Sequence, residues 1–114
     1  MPVQLNSVEQ LHSYLKGIIK RARHHAQETE DILLTLAGAV ILEKDDNTPL
    51  EAGSYRGNVA NVLWATIHGQ RYVFTYNSDD QQVVIKRGTT RGIAVGEFDN
   101  NTSTRQIIRI FRQL

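Results

Sequence analysis

The chain has 114 residues, a formal net charge of +1 and 40% hydrophobic residues, which is typical of one folded domain rather than a disordered segment. It contains no cysteine, which excludes disulfides and thiolate metal sites and favours a reducing compartment. The near-neutral charge excludes a global field that would attract nucleic acid or an anionic membrane. We therefore expect a single cytoplasmic domain over residues 1–114, with no signal peptide and no membrane-spanning segment.

Two helices are predicted in the first part of the chain. A capping box formed by Ser7 and Gln10 begins the first, which continues to about His25. The second begins near Glu30, and its predicted buried stripe consists of Ile32, Leu33, Leu36, Ala37, Val40 and Ile41. The sequence allows two positions for the end of this helix, because Gly38 could stop it and leave residues 39–43 as a short strand.

The rest of the chain predicts an antiparallel meander of four or five strands followed by a short helix. Strand patterns cover residues 50–55, both arms of a hairpin within 61–77, and then 82–87 and 93–98. Ser103 and Gln106 form a second capping box, which opens the C-terminal helix. The predicted fold class is therefore α+β: an N-terminal helical part, the meander and a closing helix.

The central hairpin determines what the sheet must bury. His68 and Gly69 suit a two-residue type I′ turn, because both tolerate positive φ. The resulting register pairs Leu63 with Phe74 and Ala65 with Tyr72 on one face, and Val62 with Thr75 and Trp64 with Val73 on the other. Because large apolar groups lie on both faces, we expect each face to need a cover.

Two arrangements could supply the second cover. Either the N-terminal helices cover one face and the C-terminal helix the other, which gives a monomer, or a second copy covers the face around Trp64. We expect the homodimer, with a further protein or small-molecule partner possible at the same aromatic patch. The candidate ligand or interface residues are Trp64, Tyr55, Tyr72, Phe74, Arg56 and Arg71.

The helices suggest a rival function, nucleic-acid binding. Basic residues spaced by three or four positions share one face of the first helix and one face of the last, namely Lys16, Lys20 and Arg23, and Arg105, Arg109 and Arg112. Such rows could follow phosphates. A cationic solvent face is also what an amphipathic helix ordinarily has, so this function ranks second.

Catalytic and metal-binding patterns are weak. His24 and Glu28 could share a metal, but two ligands do not close a zinc site, and His25 points elsewhere on the helix. The acids at 45, 46, 79 and 80 lie in predicted turns, where near-normal pKa values make poor general acids. The loop over residues 88–92 fits a hairpin connection better than a phosphate cradle. We expect no catalytic residue, no metal and no cofactor.

Three segments carry a resemblance to a known group. NVLWATIHGQRYVFTYN, the preceding SYRGNVANVLW and the later FDNNTS resemble small bacterial orphan proteins encoded by integron gene cassettes, over about the last two-thirds of the chain. These segments are a hairpin, its lead-in and a helix cap, and the group prefers Asn-Gly at the turn where this chain has His68-Gly69. The resemblance implies a horizontally mobile accessory protein and transfers no catalytic residue.

Overall fold

Helices and strands follow one another as the sequence patterns predict. In the computed structural model, which describes residues 3–25, 30–55, 58–77 and 80–114, the order is β1 (Val3–Gln4), α1 (Val8–His25), α2 (Glu30–Glu43), β2 (Glu51–Tyr55), β3 (Asn58–Ile67), β4 (Gln70–Asn77), β5 (Gln82–Arg87), β6 (Ala94–Asp99) and α3 (Thr104–Arg112). The α+β class is confirmed. The sheet has six strands rather than four or five, because the two-residue β1 is too short to show an alternating pattern.

All six strands form one antiparallel sheet in sequence order. The predicted hairpin register is confirmed residue by residue, with Leu63 opposite Phe74 and Trp64 opposite Val73. His68 and Gly69 have φ values of 51° and 79°, as a type I′ turn requires. The turn chemistry therefore sets which side chains share a face.

The predicted capping box of α3 is present in full, and that of α1 is present in part. Ser103 accepts a hydrogen bond from the Gln106 backbone N–H, and the Gln106 side chain accepts one from the Ser103 backbone N–H. At α1, Ser7 accepts from the Gln10 N–H at 3.1 Å, but the Gln10 side chain accepts from Asn6, one residue earlier than predicted, at 2.6 Å. Each helix begins at its cap because these bonds satisfy otherwise unpaired N–H groups.

The second helix passes through Gly38 and ends at Glu43, so residues 39–43 are helical and not a strand. Gly38 faces open space, and a helical path keeps Val40, which is fully buried, in phase with Leu36 one turn earlier. The burial of that stripe offsets the small propensity cost of one glycine.

One core joins all three helices to a single face of the sheet, which we call the inner face. The Phe111 ring of α3 stacks on Phe74 of β4, with centroids 5.3 Å apart, and packs at a tilt against Phe98 of β6. Tyr14 and Ile18 of α1 and the buried stripe of α2 belong to the same cluster. The arrangement in which the C-terminal helix covers the opposite face is therefore wrong.

Candidate functional site

The opposite side of the sheet, the outer face, is not covered by any helix in the described part of the chain. Its side chains come from the central strands and are Glu51, Val62, Trp64, Thr66, Arg71, Val73, Thr75, Val84 and Lys86. Val73 is fully buried by its neighbours and Trp64 is half-buried. This side of a two-layer protein therefore keeps an apolar centre within a polar margin.

Arg71 lies over the indole of Trp64. Its guanidinium carbon is 5.6 Å from the ring centroid, and its Nη1 donates to Oε1 of Glu51 at 2.8 Å. Glu51 is in turn the cross-strand partner of Trp64. A cation over an aromatic ring and an ion pair whose arginine is exposed to solvent contribute about 1 kcal/mol each. The Arg71 side chain is therefore held over the Trp64 indole only weakly, and a partner surface could displace it.

The structure places four of the six predicted interface residues, two on each face of the sheet. Trp64 and Arg71 meet on the outer face, whereas Tyr72 and Phe74 point to the inner face. Phe74 is only 1% exposed and stacks on Phe111, so it is a core residue and lines no surface. The side chain of Tyr55, and Arg56 altogether, lie outside the described residues.

The inner face contains a cleft where the C-terminal end of α3 does not fully cover the sheet. The cleft has a volume of about 720 Å³, and its principal lining residues are Gln70, Tyr72, Arg87, Val95, Ile110 and Gln113. Sequence reasoning placed Tyr72 at an aromatic patch but missed the cleft. Its walls come from three strands and a helix, so no local sequence pattern marks them.

The solvent side of the helical layer combines an apolar stripe with cationic rows. α2 packs against both α1 and α3, and its outward residues Leu34, Ile41 and Leu42 are 49%, 47% and 73% exposed. Ile41 was predicted in the buried stripe. The predicted basic residues that the structure describes with their side chains are all exposed: Lys16, Lys20, Arg105, Arg109 and Arg112. The side chain of Arg23 is outside the described residues.

Asp45 fastens the central hairpin to the loop that follows α2. Its Oδ2 accepts the backbone N–H of Gly69 at 2.7 Å and its Oδ1 accepts that of His68 at 2.8 Å. These two bonds, from Gly69 foremost, hold the pKa of Asp45 below its ordinary value. The expectation of a near-normal pKa for this turn acid is therefore wrong. A lowered pKa makes it still less suited to act as a general acid at neutral pH.

The Asp45 bonds lead to a test by pH. An acid whose folded-state pKa is lowered contributes stability that is present above its unfolded pKa of about 3.9 and is lost as the pH falls through the folded-state value. We expect Asp45→Asn to lower the melting temperature at pH 7 and to flatten the fall in stability below about pH 4. Thermal unfolding between neutral and acid pH measures both effects.

Asp46→Asn is the matched control, because Asp46 makes no hydrogen bond within the described residues. It should leave both the melting temperature at pH 7 and the acid slope close to those of the unchanged protein. Equal acid slopes in the two variants would contradict the role given to Asp45.

The remaining candidates from the sequence are the metal-binding residues, the loop over residues 88–92 and a membrane span. The described residues contain no group of three or more His, Asp or Glu side chains able to hold a metal ion. The side chains of His24 and His25, and all of Glu28 and Asp79, are outside the described part. The loop over residues 88–92 connects β5 to β6, as a hairpin connection should. No described helix is both long and apolar enough for a membrane span.

A comparison with models of known protein families finds a match. A family model described as "Integron cassette protein VCH_CASS1 chain" matches residues 11–109, from within α1 to within α3. The match therefore includes nearly all of the helical layer and all of β2 to β6. No curated protein shows significant similarity to the chain. The description states a genetic origin and names no activity.

Proposed function

We propose that this chain, which belongs to the integron cassette protein family whose model it matches over residues 11–109, is a non-enzymatic accessory binding protein that forms a homodimer through its outer face. The family membership agrees with the resemblance seen in the sequence. One observation carries the proposal: all three helices pack on the inner face, so no helix of the described chain covers Trp64, and Arg71 is the side chain that lies over its indole. A cytoplasmic location belongs to the same proposal, because the chain has no cysteine.

Charge along the outer face supports a second copy as the cover. One cross-strand row runs Glu51, Trp64, Val73 and Lys86, acidic at one end and basic at the other. A twofold axis parallel to the strands, between β3 and β4, would set Glu51 opposite Lys86 of the partner subunit. The same axis would set Trp64 opposite the partner subunit's Val73. Two sheets packed this way lie about 10 Å apart, with strands within about 30° of parallel.

The helical layer is less suited to self-association. Its apolar stripe on α2 is flanked by the cationic rows of α1 and α3, which lie on the side of each helix opposite its buried residues. Two copies of that surface placed together would bring cations against cations, which is unfavourable. The outer face, with both signs of charge in register, is therefore the preferred surface.

Light scattering coupled to size exclusion tests the proposal. We expect a mass of twice the 12.9 kDa chain, with dissociation only on dilution. A mass of one chain at concentrations up to about 1 mM, where even about 4 kcal/mol of association would be visible, would refute the dimer. In that case Arg71 would be sufficient cover for the indole.

Nucleic-acid binding remains the alternative, favoured by the exposure of both cationic rows. Lys16 and Arg109 make no ion pair with any acid that the structure describes. The apolar side chains of α2 argue against nucleic-acid binding, because they lie between the two cationic rows. A phosphate backbone that followed both cationic rows would have to cross these apolar side chains. We expect weak retention on heparin that changes little with salt.

The alternative predicts the opposite result. Strong retention that falls steeply with salt, and whose salt dependence weakens by about one unit when Arg109 is changed to Gln, would favour nucleic acid. Changing Arg91, an exposed arginine of the β5–β6 loop, to Gln is the matched control.

A further inference from the structure

We infer that the cleft under the C-terminal end of α3 binds a small organic anion with one carboxylate and a compact apolar group. The cleft lies on the inner face and the proposed dimer surface on the outer face, so either proposal can fail without the other. Its volume of about 720 Å³ falls within the range of about 300–1,000 Å³ found for ligand sites.

Tyr72 supplies the first polar group. It lines the cleft, is only 4% exposed, and its hydroxyl makes no hydrogen bond with any residue in the described ranges. Among the described residues the buried side-chain polar atom without a partner is the hydroxyl of Tyr76 and not that of Tyr72. The Tyr72 hydroxyl is therefore available to hydrogen-bond a ligand atom that enters the cleft.

Arg87 supplies the charge. It is the cross-strand partner of Tyr72, so both side chains point to the inner face. The guanidinium makes no ion pair with any acid in the part of the chain that is described. Glu97 also borders the cleft, but it pairs with Val84 in the register of the outer face. Of the two charged residues that line the cleft, the one on the inner face is thus Arg87, which is exposed to solvent and whose fork of donors matches a carboxylate.

The remaining walls define the rest of the ligand. Gln70 of β4 and Gln113 after α3 add amide groups, whereas Val95, Ile110 and Leu114 form an apolar side. The helix end is held in place, because Phe111 is fully buried and His68 Nδ1 lies 3.0 Å from the Leu114 carbonyl oxygen. A carboxylate on Arg87 and Tyr72 would therefore place an attached apolar group against α3.

Titration of the ¹⁵N-labelled protein with sodium benzoate and sodium octanoate tests the inference, and benzylamine serves as the charge-reversed probe. We expect the carboxylates to shift the amide signals of residues that line the cleft, and benzylamine to bind at least tenfold more weakly. Arg87→Gln should weaken carboxylate binding about tenfold or more, the effect of one charge-assisted hydrogen bond. Tyr72→Phe, which removes only the hydroxyl, should weaken it several-fold.

Arg91→Gln is the control, because Arg91 is exposed in the neighbouring loop and lines no part of the cleft. It should bind both carboxylates as the unchanged protein does. The dispersion of the amide spectrum shows whether each variant keeps its fold. The inference fails if no carboxylate shifts the cleft signals, if benzylamine binds equally well, or if Arg87→Gln behaves like Arg91→Gln.

Discussion

Replacing Trp64 by Asp is expected to convert the proposed dimer into a monomer while the far-UV circular dichroism stays close to that of the unchanged protein. The substitution removes the largest side chain of the outer face and puts an unpaired charge beside Val73. Large aromatic anchors at interface centres contribute about 2 kcal/mol or more, so the dissociation constant should rise about 30-fold or more. Light scattering at matched concentrations measures the change.

Leu42→Asp is the matched control for this variant. Leu42 is 73% exposed on the other apolar surface, the outward stripe of α2. It should leave the dimer intact. If Leu42→Asp dissociates the dimer and Trp64→Asp does not, the interface is the helical layer and the proposed surface is wrong. If Trp64→Asp simply unfolds the chain, charge reversal takes its place as the test.

Charge reversal probes the same interface without touching the indole. Glu51→Lys should weaken the dimer, because the proposed axis sets residue 51 opposite Lys86 of the partner subunit. Adding Lys86→Glu in the same chain should restore association. The single change also removes the Glu51–Arg71 ion pair within each chain, but the second change does not restore that pair. Recovery in the double variant would therefore report on contact between copies, and its absence would count against the axis.

Local patterns in the sequence were sufficient to predict every helix and strand of this fold except β1, and to predict the hairpin register. The register depends on the positive φ of His68 and Gly69 and on the alternation of side chains on either side of them. Both are properties of neighbouring residues, so predicting the register needed no tertiary information. The end of α2 was different. Residues 39–42 are all apolar and Glu43 follows them, and a short run of that kind fits a strand or a helix equally well.

The surfaces could not be read from the sequence to the same extent. Because α2 is apolar almost all round, its periodicity does not show which side is buried, and Ile41 was assigned to the core although it is 47% exposed. The cleft depends on residues as distant as Tyr72 and Gln113. Alternation did separate Trp64 from Tyr72, but only the packing of α3 shows which of the two faces is left open.

That packing is the basis of the second large prediction, which concerns Phe111. Its ring is fully buried and contacts Phe74 of β4 and Phe98 of β6. We expect Phe111→Ala to lower the free energy of unfolding by about 3–5 kcal/mol, the usual cost of emptying a buried aromatic site. For a domain of this size the melting temperature should fall by more than about 10 °C. Chemical denaturation followed by circular dichroism measures the loss.

Ile93→Ala is the control, since Ile93 is 75% exposed and such surface changes usually stay within about 0.5 kcal/mol.

The shape of the unfolding curve decides between two explanations for the stability lost in Phe111→Ala. If α3 belongs to the single core, Phe111→Ala shifts one cooperative transition of unchanged slope to lower denaturant. If α3 is only an attached helix, it should detach first, with a small early loss of helical signal. The cleft under the C-terminal end of α3 would then open while the outer face of the sheet, and the proposed dimer, stayed intact. A single shifted transition would instead show that the cleft, the helical layer and the sheet unfold together as one cooperative unit.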